Sequence, residues 1–227
     1  MKIYSSRLCA AKLLATLLLV LPVTSWAQLY VFACFQGQPG SKPIAGDSML
    51  NMNLVGNASD TGCIAIESIA YSSENILSIG STSSGAGAGR VSFNPLTITK
   101  RIDKSSPALF LNLANGKFFR SVNFIFVNMT GQTHFAPFSI QLGLVGISKI
   151  EGSATAGDDA LREIITLEYG GIKIQSLDFD KTGKPLTTVS ASTWNRVRNV
   201  EALDASVSVP NVDLFNISTK PLEFPVE

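Results

Sequence analysis

The sequence predicts a mainly β protein, a barrel or sandwich, that contains one short helix. In a chain of 227 residues, apolar and polar residues alternate over several short segments, and this period of two is typical of half-buried strands. The joins between the segments are polar and rich in Gly and Pro, as in GQPGSKP and DKTGKP. Short strands with such joins favour a closed or nearly closed all-β domain.

The first 27 residues have the pattern of a cleavable export signal. Its basic start consists of Lys2, Arg7 and Lys12. The apolar run 13–23 that follows has 11 residues, far fewer than the ~20 that a membrane-spanning helix needs. Small residues at Ser25 and Ala27 predict cleavage just before Gln28. We therefore expect an exported protein.

Removal of the signal leaves 200 residues (227 − 27) with a formal charge of −2, because 15 basic residues (18 − 3) remain beside 17 acidic ones. A nearly neutral chain without a basic stripe gives no support for nucleic-acid binding. No later apolar run is long enough to span a membrane. Cys9 leaves with the signal. Cys34 and Cys63 either form a disulfide, which export permits, or pack as buried thiols; neither has metal-binding spacing, so we expect no metal or cofactor.

The strands follow one another along the mature chain. They are predicted at 29–35, 63–71, 90–99, 121–127, 138–147 and 162–179. The segment 162–179 is either one strand bent at Gly170–Gly171 or a pair of strands. In 138–147, alternation places one face of apolar side chains at Phe138, Ile140, Leu142 and Leu144. The opposite face then carries Ser139, Gln141 and Gly143.

The Gly-rich run 79–89, IGSTSSGAGAG, has two interpretations. A phosphate cradle needs a helix N-terminus and usually a Lys beside the glycines. The residues that follow, RVSF, have the pattern of a strand. A flexible exposed loop is therefore favoured.

A single helix is predicted where the strand-like pattern stops. Ser106 is the predicted N-cap, Pro107 fits the first helical position, and Gly116 fits the position after the last turn. A helix of about eight or nine residues is not stable alone, so it must pack on the sheet. Its predicted anchors are Leu109, Phe110 and Leu113.

The segment 93–127, FNPLTITKRIDKSSPALFLNLANGKFFRSVNFIFV, resembles the signature region of the haemolysin-coregulated protein (Hcp) family of bacterial type VI secretion systems. The positions that match the family pattern are Thr99, Lys100, Asp103, Ser106, Pro107, Leu109, Ala114 and Gly116, with Leu113 in the same helix. Segments 144–175 and 190–199 resemble its later strands and its closing Trp-containing segment. The resemblance thus covers roughly residues 28–199.

This resemblance implies a β-barrel of two antiparallel sheets with one helix. It implies a homo-oligomeric ring of six copies that stacks into a tube or carries effectors. The implied partners are other copies and spike, sheath or effector proteins of the secretion machine, with no nucleic acid and no membrane span. The expected location is periplasmic or secreted.

Two features depart from the family: the export signal, and an extension at 200–227. The extension could add a strand at 206–215, dock on a neighbour or stay disordered. The alternative function is therefore an exported barrel that kept the fold and binds a protein or glycan partner.

An enzyme is not expected from this sequence. His134 is the single histidine, and no G-x-S-x-G nucleophile elbow is present. Four carboxylates could pair as acid and base, but charges beside a Gly-rich loop usually form a solvated face. They are Asp158, Asp159, Glu163 and Glu168.

Overall fold

A computed structural model describes residues 28–38, 44, 46, 63–75, 91–130, 133–157, 159–210 and 212–215. The described residues form ten strands and one helix. They are β1 Gln28–Gln36, β2 Ile64–Ile66, β3 Ser68–Ala70, β4 Ser73–Asn75, β5 Val91–Phe93, β6 Leu96–Arg101, α1 Ser106–Ala114, β7 Phe118–Thr130, β8 Thr133–Ser153, β9 Arg162–Phe179 and β10 Pro185–Asn195. The predicted export signal and the Gly-rich run 79–89 lie outside the described residues.

Eight of the described strands form one antiparallel sheet that closes on itself. The order is β2-β1-β7-β8-β9-β6-β3, and β10 adds to β9. Only Glu67 separates β2 from β3, yet β2 pairs with β1 and β3 pairs with β6, so the two ends of the sheet meet. The strands β4 and β5 form a second, two-stranded sheet. The predicted mainly β barrel with one helix is confirmed.

The segment predicted as one bent strand or two paired strands is one continuous strand, β9. Its first half pairs with β6 from Arg162 to Leu167, and its second half pairs with β10 from Gly171 to Phe179. On its other side, β9 pairs with β8 from Arg162 to Ser176. The long β8–β9 pair therefore joins the closed part of the barrel to the β10 end.

The barrel interior is filled by alternate side chains, as the pattern predicts. Val122 and Phe124 of β7 and Ile140 and Leu142 of β8 are fully buried in one cluster with Leu109 of the helix. An isolated helix of this length is unstable. Burial of these side chains stabilises it against the barrel.

The alternation predicted for β8 was wrong at Leu144. This residue has a left-handed backbone with φ of 52° and lies outside the inner cluster, whereas Val145 and Ile147 belong to that cluster. A positive φ at a non-glycine residue is uncommon and interrupts the regular alternation of side chains. Leu144 is instead placed beside Gly170.

The opposite face of β8 is also buried. Ser139 and Gln141 have no exposed surface, although alternation alone predicts a half-buried strand. A second buried cluster lies on this outer face and includes Phe32, Ile125 and Leu214. The sheet therefore has apolar packing on both faces.

Candidate assembly site

The family-like segment places a buried cation at the start of the helix. Lys100 is the last inward residue of β6 before the turn, and it is fully buried. Its ammonium lies 2.8 Å from Glu163 Oε1 on the neighbouring β9, 2.8 Å from Asp103 Oδ1 and 3.0 Å from Ser106 Oγ. A buried ammonium is tolerated only when it is paired and hydrogen-bonded, as here. Lys100 thus joins β6, β9 and the helix start.

Ser106 does not cap the helix, so that prediction was wrong. The N-cap residue is Ser105, which makes no side-chain cap bond, and Pro107 is the second helical residue rather than the first. The Ser106 hydroxyl donates to Glu163 Oε1 at 2.7 Å and accepts from the Asp103 amide at 3.1 Å. The buried charge pair therefore uses the hydroxyl that the local pattern assigns to the first turn.

Asp103 stabilises the turn before the helix. Its Oδ1 accepts hydrogen bonds from the amide and hydroxyl of Ser105 and from Lys100. Partial burial works to raise the pKa of the Asp103 carboxyl, but the bonds from Lys100 and Ser105 outweigh it, and the pKa lies below its ordinary value. Asp103 is therefore charged at neutral pH.

The helix ends as the sequence predicts. Gly116 has φ of 61°, its amide donates to Leu113 O at 3.1 Å, and the Lys117 amide donates to Asn112 O at 3.0 Å. This pair of bonds satisfies carbonyls that the last turn leaves free, and only glycine takes that φ without strain.

One predicted helix anchor faces away from the core. Leu109 is fully buried and Leu113 packs partly against the inner cluster, but Phe110 is 62% exposed. The prediction for Phe110 was wrong because a helix with adjacent apolar residues at 109, 110 and 111 can turn only part of them toward one sheet.

Exposed apolar side chains gather near the end of the helix. Leu111 and Phe118 are 57% and 56% exposed and line the same groove of about 630 Å³, beside Asn115 and Lys117. We call Phe110, Leu111 and Phe118 the helix patch. The signal that sequence reasoning missed is that the run 108–111 has more apolar residues than the buried side can take.

The acidic residues near the loop 154–161 pair with arginines. Arg101 and Arg162 each contact both Glu67 and Asp159, with nitrogen–oxygen distances of 2.8 to 3.1 Å. Hydrogen bonds from Arg162 hold the pKa of Asp159 below its usual value. A carboxylate pair with opposed acid and base roles needs two different pKa environments, and this exposed four-residue network does not provide them.

The other predicted carboxylates have separate positions. Glu163 was expected on a solvated face, which is wrong: it is only 5% exposed and pairs with Lys100. Glu168 lies 3.7 Å from Arg196. Asp158 lies outside the described residues.

The remaining candidates for chemistry are placed as follows. His134 is in β8, opposite Met129 on β7. In the part of the chain that the structure describes, no three His, Cys, Asp or Glu residues are grouped as metal ligands. Within the same ranges, no helix has both the length and the apolar character that a membrane crossing requires.

The Trp-containing segment forms one wall of a second groove, of about 780 Å³. Trp194 packs near Phe93 at 6.5 Å between ring centroids. Arg196, which sequence reasoning missed, lies 4.3 Å from the centre of the Tyr169 ring and donates to the Tyr169 and Phe93 carbonyls at 2.8 and 2.9 Å. These bonds fix β5 and the turn after β10 to β9.

A disulfide joins Cys34 of β1 to Cys63, the residue just before β2. Both cysteines are buried in the outer cluster. The ladder that pairs Ala33 with Ile64 brings the two cysteines opposite each other.

Comparison with known proteins identifies relatives of one kind. The family model described as "Type VI secretion system effector, Hcp" matches residues 51–175. "Protein hcp1" of Pseudomonas aeruginosa is 30% identical over 117 residues, which are 50% of this chain and 70% of that protein.

Solved structures of low sequence identity share the fold. A type six secretion system protein superposes with a TM-score of 0.64 at 19% identity, covering 77% of this chain and all of its own. Hcp1 from Salmonella typhimurium gives a TM-score of 0.56 at 19% identity, covering 78% of this chain and all of its own.

Proposed function

The chain belongs to the Hcp family of type VI secretion system effectors, and from this premise we propose that its mature copies assemble head to tail into a closed ring. The resemblance implies six copies, and it implies that such rings stack into a tube or carry effectors. The partners are then other copies of the chain together with spike, sheath or effector proteins. In this proposal, residues 28–199 form the ring-building domain and 200–227 form an extension.

The observation that carries this proposal is the helix patch. Phe110, Leu111 and Phe118 are each more than half exposed, although other residues of the same helix anchor it. Leu111 and Phe118 line one groove and Phe110 is the neighbour of Leu111 in the helix; exposed apolar side chains grouped in this way commonly mark protein–protein contacts. A neighbouring copy that covers them would remove this apolar surface from water.

A second and different surface is available for the other side of the contact. Among the described strands, β10 pairs with β9 alone, so its outer edge has no strand partner. Leu186 and Val189 on this strand are exposed. Two unlike surfaces on one chain permit a head-to-tail contact, which closes into a ring when the rotation between copies allows it.

The first prediction concerns the helix patch in assembly. We expect Phe110→Asp to weaken each subunit contact by about 2 kcal/mol, roughly thirtyfold, because a charge would replace an aromatic side chain that the neighbouring copy covers in the proposed ring. The melting temperature should stay close to that of the parent chain, since Phe110 is exposed in the isolated chain. Light scattering and native mass spectrometry of the mature protein across concentration measure the assembly.

Leu161→Asp is the matched control, because Leu161 is 52% exposed but lies outside both the helix patch and β10. It should assemble like the parent chain. A parent chain that stays monomeric at high concentration would contradict the ring. The groove at Trp194 would then favour the alternative, an exported binding module with a protein or glycan partner.

We also propose that the chain is exported, to the periplasm or beyond the cell. The support is the signal pattern at 1–27, with its basic start, its short apolar run and the small residues before Gln28.

The second prediction follows from export. Mass spectrometry of the protein from periplasm or medium should find Gln28 as the first residue. Replacing Ala27 by Asp should block cleavage and leave a larger, cell-retained form, whereas Asp at Gln28 should be cleaved, because the small residue before the cut is the one required. A functional form that retains Met1 would contradict export.

A further inference from the structure

The residues that follow β10 cross the outer face of the sheet. We call 203–210 and 212–215 the strap. Val207 of the strap is fully buried, and Val212 and Leu214 are buried in the outer cluster. The strap forms no strand of its own, so the described part of the extension neither adds a strand to the sheet nor stands apart from it.

One end of the strap is seated against three glycines of β8 and β9. A side chain at Gly143 would place its Cβ 2.1 Å from the Val207 carbonyl oxygen. At Gly170 and Gly171 the Cβ would lie 2.9 Å from Val207 and 2.8 Å from Leu203. At Gly143 the near atoms are strap backbone, so this approach of strap to sheet requires glycine there; at Gly170 and Gly171 the near atoms are side-chain ends, so a Cβ would require those side chains to shift.

The other end of the strap is tied to β8 farther along the strand. The Ala136 amide donates to Leu214 O at 3.0 Å. Ala136 precedes Gly143 by seven residues, and Leu214 follows Val207 by seven. The strap therefore runs antiparallel to β8. It passes over Ser139 and Gln141, which lie between the two contact points Ala136 and Gly143.

The strap leaves polar groups of this face unsatisfied. Asn123 of β7, which pairs with Gln141 of β8, is fully buried, and within the described chain neither of its side-chain polar atoms has a hydrogen-bond partner. Gln141 Oε1 also has none there. Buried amides without partners are unfavourable, so over the middle of this face the strap is held by shape and apolar contact. Its polar contacts lie toward its ends, between Leu214 and Ala136 and between Asp204 and Arg198.

From this geometry we infer that the outer sheet face is a binding surface for an extended, apolar-anchored peptide segment, and that the strap of a second copy can take the place of the chain's own strap. The strap shows the chemistry that the face accepts. Val207 lies against Gly143, Gly170 and Gly171, which we call the glycine notch, and Val212 and Leu214 pack at the far end. An identical strap from another copy makes all of these contacts without loss, which is why terminal segments exchange between copies at low cost.

The exchange does not rest on the ring, because it uses the strap and the outer face rather than the helix patch. A strap attached to its own chain has an effective concentration in the millimolar range. At about 10 µM protein, the chain's own strap should therefore outcompete a foreign one by on the order of a hundredfold. Exchange becomes visible when the chain's own pairing is blocked.

Two full-length variants block the two halves of the pairing separately. Gly143→Val closes the notch and frees the strap, while the new side chain points away from the barrel interior. Val207→Arg with Leu214→Arg disables the strap and leaves the face open. Both variants carry Phe110→Asp, so that contacts through the helix patch do not contribute.

Native mass spectrometry of the mixed variants, one of them isotope-labelled, is the test. We expect a 1:1 heterodimer in the mixture and no dimer of either variant alone. With Gly152→Val in place of Gly143→Val, the heterodimer should be at least roughly a hundredfold rarer, because a Cβ at Gly152, on the same strand, meets nothing within 4 Å. Cooperative melting of each variant confirms that the barrel is folded.

If Gly143→Val does not fold, Gly171→Val replaces it, since its Cβ would contact Leu203 of the strap. Folded variants that remain monomeric when mixed would overturn the inference. So would a strap in folded Gly143→Val that resists protease as well as the strap of the parent chain, because the notch would then not hold it. Loss of ring assembly in Phe110→Asp bears on the proposed function and leaves this test unaffected.

Discussion

Lys100→Met is expected to lower the free energy of unfolding by about 3–5 kcal/mol, one of the largest effects of any single substitution in this chain. The substitution leaves the Glu163 carboxylate, 5% exposed, without its cation. It also removes partners from Asp103 and Ser106 at the helix start. At about 2–4 °C per kcal/mol for a domain of this size, the melting temperature should fall by roughly 10 °C.

Arg101→Met is the matched control, because the next residue carries the same charge in a different setting. Its side chain is 57% exposed and pairs with Glu67 and Asp159 at the surface. Exposed ion pairs contribute about 0–1 kcal/mol, so this variant should melt close to the parent chain. Equal losses in the two variants would show that burial of the Lys100 pair is not the cause.

The double variant Lys100→Met with Glu163→Leu tests the mechanism further. Removing both charges leaves no unpaired ion, and apolar replacements of a buried pair are often neutral or stabilising. We therefore expect the double variant to recover much of the stability that Lys100→Met loses. A further loss of the same size would indicate that the cost comes from packing alone.

Local periodicity was enough to predict the barrel and the end of the helix. Alternation in β8 placed Ile140 and Leu142 inside, and Gly116 marked the helix end through its freedom to adopt a positive φ. These features depend on neighbours in the sequence. A left-handed residue at Leu144 does not follow from its residue type, and it reverses the predicted faces after that point.

The partners of Lys100 and of the outer sheet face could not be predicted in the same way. Glu163 is 63 positions from Lys100, and the register of β6 against β9 brings the two together. Ser106 has the residue type of a cap, and the pair with Glu163 overrides that preference. Ser139 and Gln141 have the pattern of a solvated face, yet they are buried. The strap that covers them lies about 70 positions farther along the chain, so the local pattern could not reveal it.

At the helix patch the error has the opposite sense: the apolar residue Phe110 was predicted to lie in the core, and it is exposed. Leu109 and Phe110 are adjacent, so they point about 100° apart on a helix and cannot both enter the same sheet. The core takes Leu109 and leaves Phe110 exposed. In the proposed ring a neighbouring copy covers this side chain, and such a contact depends on several copies rather than on the isolated chain.

Cys34→Ala with Cys63→Ala is expected to lower the free energy of unfolding by about 3–4 kcal/mol, because the disulfide closes a loop with a sequence separation of 29. The bridge reduces the conformational freedom of the unfolded chain across the connection from β1 to β2. Chemical denaturation of the mature protein, with and without a reducing agent, measures this effect. Reduction should bring the parent chain close to the double variant, which separates the bridge from the lost sulfur packing.

Cys9→Ala is the control for this prediction, since Cys9 lies in the predicted signal and its loss should leave the mature protein unchanged. The physical reason for a large effect is the position of the bridge. It joins β1 to the start of β2, and the β2–β3 segment is where the two ends of the sheet meet. Two free thiols in exported protein, or a denaturation midpoint unaffected by reduction, would contradict it. If the reducing agent lowers the stability of the parent chain but not that of the double variant, the disulfide is the source of the difference. Barrel stability then depends on the oxidising compartment that the export signal implies.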